Sequence, residues 1–179
     1  MFTRAIHSVL AAGALAASVS APGVAADKDH HFFRAVEGEW TGPGEIVAGK
    51  YKGTRFTCRL VGDSADDKTG MALDGTCRVG VFSQKMSAVI ERAGDSYRGT
   101  FLDGAEGKGL DIVSGSVDKH QVVMGLNRNK LNGAMLASMK GPDTMNVTVS
   151  VRVEDELVPV IGVNLKRVDT TAVGAIARD

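Results

Sequence analysis

From Trp40 to Val168 the chain alternates apolar and polar residues with a period of two, in about ten short runs. Turn residues bound each run, and no helical segment of crossover length lies between them. Parallel pairing needs a crossover of a dozen or more residues, so sequential antiparallel strands are the expected arrangement. The runs are Glu39–Val47, Tyr51–Val61, Met71–Phe82, Lys85–Arg92 and Tyr97–Leu102. They continue as Leu110–Val117, Gln121–Asn127, Leu131–Lys140, Met145–Val153 and Val160–Val168. In the run starting at Met145, Val147, Val149 and Val151 alternate with Asn146, Thr148, Ser150 and Arg152, which gives one dry face and one wet face. An up-and-down β-barrel removes the edges that such a series otherwise leaves. An all-β antiparallel barrel of about ten strands is therefore the expected fold, with a two-sheet sandwich as the alternative. Pro43 within the first run predicts an edge position or a bulge there.

The N-terminus reads differently. Met1-Phe2-Thr3-Arg4 is followed by an apolar and small stretch from Val9 to Val19, then by Ala21-Pro22-Gly23-Val24-Ala25-Ala26. This is the pattern of a secretory signal peptide cleaved after Ala26, and it implies a periplasmic or secreted protein. The apolar stretch is well short of the roughly 20 residues a membrane span needs. The chain then divides into a signal peptide (1–26), one barrel domain (27–168) and a loose C-terminal tail (169–179). Asp27 to Val36 predicts a short helix with Phe32, Phe33 and Val36 near one face, stopped by Gly38. Residues 1–26 contain Arg4 as their one charged side chain, so the mature chain has 20 basic and 21 acidic residues. That balance, with no long run of either sign, argues against a nucleic-acid partner. No amphipathic basic helix suggests attachment to a membrane surface.

Two cysteines, Cys58 and Cys77, lie on the apolar parity of consecutive runs separated by the polar loop Gly62–Gly70. If the two runs pair as a hairpin, the sulfurs meet on the inward face. An exported chain favours their oxidation, and closing a loop of this length contributes roughly 3 kcal/mol on the chain-entropy model. Two free buried thiols are the alternative. The spacing is not that of a redox Cys-x-x-Cys pair.

Gly38-Glu39-Trp40, after a short helix and before a glycine-rich first strand, resembles the Gly-x-Trp start of calycin-type barrels: lipocalins, fatty-acid-binding proteins and nitrobindin-like barrels. The resemblance implies that Trp40 closes one end of the barrel. It also implies that Trp40 packs against a basic residue late in the last strand, a place Arg167 can take. Nitrobindin-like proteins bind haem through a His near the C-terminal end, and no His follows His120 here, so the resemblance carries over no cofactor.

Motifs for chemistry are absent: there is no Gly-x-Ser-x-Gly elbow and no His-Glu-x-x-His. Gly104, Gly107 and Gly109 fall between strands and read as a hairpin loop. Adjacent His30 and His31 point about 100° apart on a helix and make a poor metal pair. Asp74, Glu91 and Asp111 lie in strands and read as solvent-facing. The methionines suit either an adaptable apolar site or ordinary core filling. The expectation is a non-enzymatic barrel that binds a small apolar molecule in its interior. Its lining would be Phe56, Met86, Phe101, Met124, Met135 and Val149. The alternative is an envelope interaction module, or an inhibitor of a secreted enzyme, acting on a protein partner through loops Gly62–Gly70 and Asp103–Gly109.

Overall fold

A computed structural model describes residues 22–64, 68–102 and 109–169, with side chains from residue 28 onward. The expected signal peptide, most of the C-terminal tail, and the centres of the loops at 65–67 and 103–108 lie outside the described residues. One helix, α1 (Pro22–Ala35), precedes β1 (Gly38–Ile46), β2 (Arg55–Asp63), β3 (Gly70–Val79), β4 (Phe82–Ala93) and β5 (Ser96–Leu102). The chain continues through β6 (Leu110–Asp118), β7 (Gln121–Arg128), β8 (Leu131–Met139), β9 (Thr144–Val153) and β10 (Glu156–Arg167). Every strand pairs antiparallel with its neighbours in sequence, and β1 pairs with β10, so the sheet closes into a barrel. Closure excludes the sandwich. A ten-stranded antiparallel barrel with, among the described residues, a single short helix has the general form of a calycin fold.

Register sets which side chains point inward, because successive residues of a strand face opposite sides. Trp40 lies opposite both Leu60 and Arg167, Cys58 opposite Cys77, Met124 opposite Met135, and Met135 opposite Val149. One parity is thus carried around the barrel as an apolar interior. A bulge between Ile112 and Ser114 in β6, and another between Pro159 and Ile161 in β10, shift the parity locally.

Four expectations need correction. Pro43 is at neither an edge nor a bulge. Its partner on the β2 side is Thr57, and on the β10 side the ladder keeps one register from Thr41↔Lys166 to Gly44↔Val163, skipping the pairs at 42 and 43. A Cβ at Gly42 would stand 1.9 Å from the carbonyl oxygen of Asn164, so only glycine allows this approach of β1 to β10. The run Met71–Phe82 is not one strand. Gly80, at φ 56°, turns the chain after Val79, and Phe82 already belongs to β4. β10 starts four residues earlier than its alternation suggests, because the bulge accommodates Pro159. The helix begins at Pro22 rather than Asp27, with proline in the first-turn position that suits its fixed φ.

Candidate functional site

The two ends of the barrel are built differently. At one end α1 lies across the opening. Phe32, Phe33 and Val36 from the helix are buried together with Trp40, Tyr97 and Leu165 from the strands. The Phe33 ring centroid is 5.5 Å from that of Tyr97. The indole Nε1 of Trp40 donates to the Val36 carbonyl at 2.9 Å. The Arg167 guanidinium lies 4.3 Å from the Trp40 ring centroid, a cation–π contact worth about 0.5–2 kcal/mol. The same guanidinium donates to the Ala35 carbonyl at 2.7 Å and to the carbonyl of Glu37. A helix leaves its last carbonyls without intrahelical donors, and a cation there also complements the helix dipole. Arg167 therefore ties the last strand to both the helix end and the indole.

A second clamp holds the other side of α1. One carboxylate oxygen of Asp29, Oδ2, accepts from the Tyr97 hydroxyl at 2.7 Å and from Arg92 Nη1 at 3.0 Å. Burial, followed by the hydrogen bond to the Asp29 carboxylate and its charge, pushes the Tyr97 phenol well above its ordinary pKa. The phenol thus stays a neutral donor at physiological pH.

Farther from the helix the cover of the interior is mixed, with Ile112 and Leu126 buried. Phe56, Met86, Phe101, Met135 and Val149 all lie on the inward parity, yet each is only half-buried. Cys58 and Cys77 form a disulfide across β2 and β3, with Cα atoms 4.0 Å apart; Cys58 is buried and Cys77 half-buried. The Phe56 ring lies over Gly44, where a Cβ would come within 2.3 Å of it. Met124 differs from its expected companions. It is fully buried, and a Cβ on Gly115 would lie 2.4 Å from its sulfur and 2.9 Å from the Tyr97 Cβ. Met124 is therefore a packed floor residue beside Tyr97, while the five half-buried side chains, its register partner Met135 among them, form less covered parts of the interior wall.

Little in the described residues suggests acid–base chemistry. Asp74, Glu91 and Asp111 are all exposed, and Glu91 pairs with Lys68 at 3.2 Å. No group of three or more His, Cys, Asp or Glu gathers among the described residues. A shallow groove of about 520 Å³ crosses the outside of β6 to β10. Its lining includes Ser114, Gly125, Ala134 and Leu157 with Arg152 as its charged member, so no set of titratable groups converges there.

Sequence reasoning missed two features. The Asp29–Tyr97 contact joins residues 68 positions apart, and no local pattern announces it. The exposed tip at Val81 and Phe82 was hidden in an apolar run, where Gly80 was the one available signal. No protein-family model matches the chain, and no curated protein is similar to it.

Proposed function

We propose that this is an exported periplasmic barrel of calycin type, non-enzymatic, which holds a small apolar molecule in an interior cup walled by Phe56, Met86, Phe101, Met135 and Val149. The observation that carries this reading is the incomplete cover of the inward apolar side chains Phe56, Met86, Phe101, Met135 and Val149, set against the full enclosure of Phe32, Phe33, Val36, Trp40 and Tyr97 in the plug. Small-molecule sites are concave and mainly apolar, and eight strands already suffice to enclose one small ligand. Half-buried Met86 and Met135 add flexible, polarizable walls that adapt to ligand shape. The export address rests on residues 1–26 and on the disulfide, which an oxidising compartment preserves.

The test is native mass spectrometry of the protein recovered from a periplasm, followed by solvent extraction. A stoichiometric apolar small molecule is the expected result. A clean apo mass would overturn the cup reading and move weight to action through the loops.

A further inference from the structure

Two adjacent hairpin ends stand beside the mouth: the β1–β2 connection and the two-residue turn Gly80-Val81 between β3 and β4. Their apolar side chains are among the most exposed in the described chain. Val81 is 90% exposed, Phe82 78% and Tyr51 62%. Two-residue hairpin turns favour glycine and small polar residues, so a valine followed by a phenylalanine has no turn-forming explanation. The charges on these two hairpins are mainly basic. Residues 45–55 and 78–85 contain Lys50, Lys52, Arg55, Arg78 and Lys85 against a single acid, Glu45, which pairs with Arg55 at 3.6 Å; the acids Glu154, Asp155 and Glu156 stand on the neighbouring β9–β10 hairpin. The five cations are all exposed, in a mature chain whose overall charge is nearly balanced. Lys50 Nζ lies 5.3 Å from the Tyr51 ring centroid, placing a cation beside an amphipathic aromatic.

We propose that these two tips dock the barrel onto a lipid bilayer bearing anionic headgroups. Val81 and Phe82 enter the acyl boundary and Tyr51 sits at headgroup level, while Lys50, Lys52, Arg78 and Lys85 meet the lipid phosphates. The tips are convex, so a protein partner would have to offer them a pocket, whereas a bilayer admits them anywhere on its surface. Tyrosine suits an interface that is apolar on one side and wet on the other. Lysine and arginine stems lie along apolar surface with the charge kept in water. Near an anionic membrane each such cation strengthens binding about fivefold. This docking goes beyond the cup reading and does not require it. Where both hold, the mouth opens next to the phase in which apolar molecules dissolve.

The experiment is flotation of the exported, processed protein with vesicles of phosphatidylcholine alone, or of phosphatidylcholine mixed with phosphatidylglycerol. The wild type is expected to float with the mixed vesicles and to be released by added salt. Val81→Asp/Phe82→Asp should lower the partition coefficient at least tenfold, with the thermal midpoint unchanged because both residues are exposed. Lys50→Glu/Lys52→Glu should lose binding to the mixed vesicles only. A wild type that stays in the aqueous fraction overturns the proposal, as does a tip variant that floats equally well. Capture of a protein by the tips without flotation would also overturn it. Extraction of bound small molecules from the same sample reads the cup independently, so the two ideas fail separately.

Discussion

The plugged end and the open end share one barrel and one apolar parity, yet they use side chains in opposite ways. At the plugged end, the rings of Phe32, Phe33, Trp40 and Tyr97 are fully enclosed, and the polar groups of the two clamps have partners: Trp40 a carbonyl, Tyr97 and Arg92 the Asp29 carboxylate. At the other end, the inward side chains Phe56, Met86 and Phe101 are left half-covered. Apolar surface kept from full burial forgoes about 25 cal/mol per Å². The contrast teaches that stability in this chain is concentrated where the helix docks, and that the mouth is free to serve a purpose other than stability.

The largest test of that division is Trp40→Ala, which should cost about 3–5 kcal/mol in urea unfolding, as removal of a fully enclosed aromatic does. An unchanged midpoint would show that the plug is not the stabilising end. Next comes the Cys58–Cys77 disulfide, which spans 19 positions. Its replacement by two alanines should lower stability by about 3 kcal/mol. This is the main brace on the side of the mouth, and a negligible loss would mean that the open end needs none.

Tyr97→Phe follows, with an expected loss of about 2 kcal/mol, because it removes a hydrogen bond to a carboxylate. The same variant sharpens the comparison through pH. The phenol holds its proton more tightly folded than unfolded, its pKa lying above the ordinary 10.0. Its contribution is therefore complete below about pH 10 and is lost as pH rises from there toward the folded-state value, where the unfolded chain ionises first. Alkaline denaturation curves should show wild type losing stability above that point and Tyr97→Phe losing less. The smallest effect belongs to the mouth. Met86→Ala should cost about 1 kcal/mol, against about 2–5 for Met124→Ala in the floor. Equal losses at the two methionines would erase the distinction between wall and floor.

Much of this architecture was legible from residue order, for local reasons. Period-two alternation reports strands directly, and Cys58 and Cys77 lie at positions that a hairpin must bring together. Gly38-Glu39-Trp40 marks the start of β1. The losses also have physical causes. Val79-Gly80-Val81-Phe82 reads as continuous strand by hydropathy, whereas one positive φ at Gly80 turns it into a lip. Pro159 argues against a strand until a bulge absorbs it. Met124 and Met135 are cross-strand partners and look equivalent, yet Met124 packs beside Tyr97 over Gly115, and Tyr97 is held by Phe33 and Asp29 of the helix across long sequence distances. The basic, apolar lip is equally invisible along the chain, because the β1–β2 and β3–β4 connections come to one rim only after four strands have paired.

The seam between β1 and β10 has a practical consequence for attachment. Trp40 pairs with Arg167, and the Val168 amide donates to the Glu39 carbonyl at 2.8 Å, so the chain enters and leaves the barrel side by side. Both points lie on the plugged rim, with the full length of the strands between them and the mouth. A tether, fusion partner or solid support attached next to these two points holds the barrel from behind. It presents the opposite rim outward to whatever surface or solution it faces.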